Sequence, residues 1–158
     1  MTSCFTFGGR DHAKPVVLVS TTNYTRLKKK LTSEQLHWLE QNDFSARSGQ
    51  LCGIPTADGS VDKFLVGIAN VEDPFAVADL PIRLPPGLYS LEGTGVKANF
   101  SSLAVGWGLG AYQFTRYKAA PREPAQLKIP NSANQQRIDE IVAATYRVRD
   151  MILSLIHI

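Results

Sequence analysis

The sequence is short of the residues and patterns on which many enzymes depend. Its 158 residues include two cysteines, Cys4 and Cys52, with no C-x-x-C pattern. That is too few for a disulfide framework, and the plain reading is two free thiols in a reducing compartment. The three histidines are His12, His37 and His157. None belongs to a metal-spaced pair such as H-x-x-x-H, and neither a G-x-S-x-G nor a P-loop occurs. Carboxylates are scattered. Asp139 and Glu140 are adjacent, and neighbours on a helix point apart. Cys52 falls on an expected strand and reads as a buried small hydrophobe rather than a nucleophile. A hydrolase or transferase needs a nucleophile with a base, or a metal cluster. From the residues alone no catalytic, cofactor-binding or metal-binding residue is assigned. Long apolar runs are also lacking, so no bilayer-spanning helix is expected. Met1 to Lys14 has no basic region followed by an apolar one, so it does not read as a secretory signal, and a cytoplasmic location is expected.

What is present is ordinary for a globular domain. Hydrophobic residues make up 44% and charged ones 20%, and the length suits one domain with a proper core. The net charge of +3 is too mild to call for nucleic acid or an anionic membrane. The one basic run, Arg26 with Lys28-Lys29-Lys30, reads as a solvated helix face.

Helices and strands are expected to alternate. Met1 to Lys14 reads as a loose tail. Pro15 to Val19 is a continuous β-branched run of the kind buried on both faces of a sheet. Thr32 with Gln35 is a capping-box pattern opening a helix with Leu36 and Leu39 on its apolar side, ended by Asn42-Asp43. Gly49 to Ile54 and Val61 to Ala69 read as strands joined by the turn Thr56 to Ser60. Asp73-Pro74 starts a short helix running to about Leu80. Leu88 to Leu91 and Gln126 to Ile129 are further strands. Ser132 with Gln135 forms a second capping-box pattern. It introduces a long helix, about Ala133 to Ile152, with a stripe of Ile138, Ile141, Val142, Thr145 and Val148. The expected class is α/β, a mixed sheet of about five strands flanked by helices.

The chain is organised around Ser101 to Lys118. Leu103, Trp107, Gly110, Ala111 and Phe114 recur at helical spacing, so a buried helix is expected, with Arg116 and Lys118 in its last turn, where cations suit the helix dipole. Gly106, Gly108 and Gly110 each cost about 1 kcal/mol against alanine in a helix, which points to close backbone approach. Gly106 to Ala111 also matches the dinucleotide pattern G-x-G-x-x-G/A. That motif needs a helix starting at the glycines and an acid about 20 residues later. Here the helical stripe begins earlier, at Leu103, and the next acid, Glu123, sits in a proline-flanked loop. Close packing is the preferred reading.

Four segments together resemble the leucyl aminopeptidase (cytosol aminopeptidase) family of metallopeptidases. They are Leu84-Pro85-Pro86-Gly87-Leu88-Tyr89, the stretch Val105 to Lys118 with its string GWGLGAYQFTRYK, Leu127-Lys128-Ile129-Pro130, and the closing helix with Val148-Arg149-Asp150. The resemblance covers roughly Pro15 to Asp150. It implies the smaller N-terminal α/β domain of such enzymes, similar in fold to macro-type domains that bind ADP-ribose, followed by a linking helix. It further implies a two-metal aminopeptidase using zinc or manganese, assembled as a hexamer, that removes leucine-like N-terminal residues from peptides. The metal ligands of the family, a lysine, several aspartates and a glutamate, belong to the domain that follows. No catalytic residue carries over, and Arg149 and Asp150 receive a structural role. The implied fragment is inactive and holds no metal itself. The alternative is a macro-like module binding a nucleotide or ADP-ribose.

The expected organisation is therefore a tail over 1–14, an N-terminal α/β domain over 15–131, a linking helix over 132–152 and a final stretch over 153–158. Leu153-Ser154-Leu155-Ile156-His157-Ile158 is what a common transposon-derived sequencing adapter yields in one reading frame. It is expected not to be native sequence.

Overall fold

The computed structural model describes residues 4–7, 12–93, 99–131 and 133–156. Its centre is a six-stranded sheet. The strands are β1 (Phe5–Phe7), β2 (Lys14–Val19), β3 (Leu51–Pro55), β4 (Val61–Gly67), β5 (Leu88–Gly93) and β6 (Gln126–Ile129). Their spatial order is β1-β6-β5-β2-β4-β3. All neighbours run parallel except β3, which pairs antiparallel with β4 at the edge. The helices are α1 (Thr21–Lys28), α2 (Ser33–Gln41), α3 (Leu80–Arg83), α4 (Phe100–Gly110) and α5 (Gln135–Ile156), with a 3-10 turn at Pro74–Val77.

Alternation along the central strands sends side chains to two cores. Val16, Leu18, Phe64 and Val66 face one, with Leu103, Trp107 and Ile138. Val19, Leu65 and, from β3, Ile54 face the other, with Leu27 and Leu39 from α1 and α2. Strands covered on both faces lose the polar alternation of a surface strand, which is why β2 and β4 are legible as apolar runs. The Thr32 capping box forms as expected, with Thr32 Oγ1 accepting from the Gln35 N–H at 3.3 Å and Gln35 Oε1 accepting from the Thr32 N–H at 3.3 Å. Asp73 caps the 3-10 turn by accepting from the Phe75 N–H at 2.9 Å.

Four expectations need correction. First, the sheet has one strand more than expected. Within the stretch read as a loose tail, Phe5–Phe7 pairs with β6, Phe5 opposite Leu127. Three residues are too few for a period to show in sequence, yet Phe5 is buried and Phe7 is not. Second, the glycine helix starts at Phe100 and ends at Gly110, with Ala111 as its C-cap. Phe114, Arg116 and Lys118 lie beyond it in an irregular segment. Third, the short helix after Asp73 is broken into the 3-10 turn and α3. Fourth, α5 buries Ile138 and Val142 but leaves Ile141 and Val148 exposed. Ser132, half of the expected second capping box, lies outside the described residues. The N-terminal cap visible on α5 is Asn134, whose Oδ1 accepts from the Arg137 N–H at 3.1 Å.

Candidate functional site

Each face of α4 meets a different partner, and the glycines decide how closely. Trp107 faces the sheet, fully buried. Its Nε1–H donates to the Ala125 carbonyl at 3.2 Å, and its ring lies 6.5 Å from that of Tyr89. On another face, a methyl group at Gly106 or Gly110 would collide with the backbone carbonyl of Pro74 or Ala78 respectively. The 3-10 turn thus lies directly on the helix backbone. Gly108 faces α5 and β1, where an added Cβ would stand 2.6 Å from Val142 Cγ2 and 2.7 Å from Phe5 Cζ. Every glycine of the G-x-G-x-x-A pattern is therefore used by protein packing. All of them sit inside the helix rather than at its start, so they do not form the N-terminal phosphate cradle that motif requires.

The last carbonyls of a helix lack partners within it. In α4 they are met by side chains from α5. Tyr146 O–H donates to the Gly108 carbonyl at 2.6 Å, and the Arg149 guanidinium donates to the Leu109 carbonyl at 2.7 Å. A cation is expected at this end of a helix dipole, and Arg149 fills the place that the sequence reading gave to Arg116 and Lys118. The Arg149 guanidinium also lies over the Tyr112 ring, 5.3 Å from its centroid. Tyr112 O–H donates to Asp150 Oδ1 at 2.7 Å, and the Tyr112 and Tyr146 rings meet edge-on at 5.0 Å. Burial, then the bond to Asp150, pushes the Tyr112 hydroxyl up to about 12. Cys4 is buried, and that burial pushes its thiol up to about 11. Arg149 and Asp150 thus take the structural role expected of them. Sequence reasoning missed Tyr112 and Tyr146, although an aromatic one turn before a cation on α5 was there to be read.

Beside this joint a half-open cleft of about 430 Å³ lies between residues 111–124 and α5. Gln113 steadies its rim by donating to the Arg122 carbonyl at 3.2 Å, and Arg122 donates to the Leu84 carbonyl at 2.7 Å.

The other residues weighed in sequence stand apart. His12 is exposed, and His37 meets Gln41 across one turn of α2 at 3.0 Å. Cys52 is buried in the α1–α2 core, and burial raises its thiol above the ordinary range. Asp139 and Glu140 are exposed on α5. Arg26 and Lys28 occupy the exposed last turn of α1, with the Lys28 ammonium 4.8 Å from the Tyr24 ring centroid. His157 lies outside the described residues. Among the described residues no three His, Cys, Asp or Glu side chains converge to hold a metal, and no helix is long and apolar enough to cross a membrane.

Comparison with known proteins places this arrangement. The sequence model for "M17 aminopeptidase, N-terminal domain" matches residues 15–130. Among solved structures, the cytosol aminopeptidase from Coxiella burnetii is similar with a TM-score of 0.85 at 22% identity, over 94% of this chain and 33% of its own. The bottromycin maturation enzyme BotP, in its complex with Mn, gives 0.57 at 20% identity over 88% of this chain and 31% of its own. A tomato leucine aminopeptidase mutant gives 0.54 at 14% identity over 88% and 34% respectively. At these identities the likeness shows a shared fold. The chain spans about a third of the length of each of these proteins. No curated protein matches the chain in sequence.

Proposed function

This chain belongs to the M17 aminopeptidase N-terminal domain family, and from that premise we propose that it is the non-catalytic N-terminal portion of a metal-dependent aminopeptidase. The whole enzyme removes N-terminal residues, leucine-like ones preferred, from peptides in the cytoplasm, and assembles as a homo-hexamer. Its zinc or manganese ions supply an activated water and a polarised peptide carbonyl. The residues described here do not fit such a centre, because no cluster of ligating side chains converges among them. The metals belong, in this reading, to a following domain.

The observation that carries the proposal is the outer face of α5. One face docks through Ile138, Val142 and Tyr146. Another presents Ile141, Val148, Met151 and Ile152, each between 38% and 64% exposed. Scattered exposed apolar residues are common, but a contiguous apolar stripe marks an interaction surface. A linking helix wedged between two domains needs apolar residues on both sides. A nucleotide-binding reading is not favoured, because the glycines that would cradle phosphate are occupied by the Pro74 and Ala78 carbonyls.

Intact genomic DNA downstream of the codon for Ile152 tests the reading. The expected result is an open frame that runs on into a metal-ligating catalytic domain in place of Leu153 to Ile158. A stop codon after a genomically encoded Ile158 overturns it.

A further inference from the structure

The cleft at the α4–α5 joint is lined by charge of both signs. Asp150 on α5 and Glu123 on the return limb supply carboxylates to its lining, and Arg116 and Arg122 supply guanidinium groups. Among the described residues the ion pair is that of Arg83 with Asp79, so none of these four is neutralised by another. Two of them are held in place. Asp150 is oriented by the Tyr112 hydroxyl through one carboxylate oxygen. Arg122 is fixed to the Leu84 carbonyl through one guanidinium nitrogen. Between these groups the wall is aromatic, with Tyr112 and Tyr146. A volume of about 430 Å³ lies at the small end of the range for pockets that take small molecules, roughly 300–1,000 Å³.

Charge-assisted hydrogen bonds to preplaced groups are the strong polar contacts available to a ligand. Groups already held in position lose little entropy when they bind. A ligand with a single charge would meet only half of this lining. We propose that the cleft binds a small zwitterion, an amino acid or dipeptide, with its ammonium against Asp150 and Glu123, its carboxylate against Arg116 and Arg122, and its apolar side chain against the tyrosines. Such a ligand touches α5 and the 111–124 segment at once, so it tightens the joint between them. Binding here stands independently of whether the chain is part of an aminopeptidase.

Amide NMR titration of the purified chain tests this, with leucine and leucyl-glycine as the two zwitterions. N-acetyl-leucine, which lacks the ammonium, and leucinamide, which lacks the carboxylate, are the controls. The expected result is saturable shifts at Ala111, Ala120 and Tyr146 with a Kd of about 1 mM or tighter, equivalent to about −4 kcal/mol, for one or both zwitterions. The controls bind at least about tenfold more weakly. Which zwitterion binds more tightly decides between amino acid and dipeptide. Asp150→Asn keeps an acceptor for Tyr112 and removes the charge. Arg116→Gln alters an exposed residue outside every helix and strand, so it decides the matter if the first variant fails to fold. Each should weaken binding about tenfold, which is about 1.4 kcal/mol, as expected for the loss of one charge-assisted contact. The proposal is overturned if neither zwitterion shifts these amides at about 10 mM, if either control binds as well as its parent, or if Arg116→Gln leaves the affinity unchanged.

Discussion

At the scale of single residues, the α4–α5 joint is held by the Tyr146 hydroxyl, which donates to the Gly108 carbonyl at 2.6 Å, and Cys4 is buried in the same core. Burial raises the Cys4 thiol from the ordinary 9.0 to about 11, so the neutral thiol is the form the fold tolerates. An acid whose folded pKa lies above its unfolded one gives stability that is complete below the unfolded value and is lost as pH rises toward the folded one. Stability should therefore decline between about pH 9 and pH 11. Cys4→Ser, which keeps a hydroxyl donor of ordinary high pKa, should flatten that decline, as measured by urea unfolding across this range. The same burial should keep Cys4 and Cys52, both inside the cores, unreactive toward a thiol reagent at pH 8 until the chain unfolds, because the thiolate is the reactive species.

At the scale of elements, α4 gives up intrinsic helix propensity for contact. Alanine outranks glycine by about 1 kcal/mol in an open helix. Here an added methyl would run into the carbonyl of Pro74 or Ala78. Gly106→Ala and Gly110→Ala should each destabilise the fold by about 1–3 kcal/mol, a reversal of the propensity order that thermal or chemical unfolding reads directly. The docking of α5 makes a second prediction. Tyr146→Phe and Arg149→Ala each leave a carbonyl of α4 without its partner and should each cost about 1–2 kcal/mol. Amide exchange in α5 should speed up before that of the central strands.

The elements also show where sequence suffices. Three glycines in five residues announced a close approach without naming the neighbour, because the 3-10 turn that fills it is far away in sequence. β2 and β4 were legible because two-sided burial leaves an unbroken apolar run, and the Thr32 box because its logic is local. β1 was not, since a three-residue strand has no period. The end of α4 was misplaced for a related reason. Arg116 and Lys118 fit a local dipole rule, but the cation that meets the helix end is Arg149, brought there by tertiary structure. The same holds for the α5 stripe, where Ile141 and Val148 carry the right period for burial and face outward. The cleft combines residues 111–124 with α5, so no local pattern could reveal it.

At the scale of the whole molecule, the sheet is covered on both faces and its two cores close on themselves. Among the described residues, the outer stripe of α5 leaves Ile141, Val148, Met151 and Ile152 exposed, Met151 at 64%. That flank is where the proposal attaches a catalytic domain, with this chain as its scaffold. The most direct test of that claim is a peptidase assay. The purified chain, supplied with manganese or zinc, is incubated with a leucine-initiated peptide, and released leucine is measured over time. The account predicts release no faster than in the protein-free control, and turnover at an enzymatic rate that tracks protein concentration would contradict it.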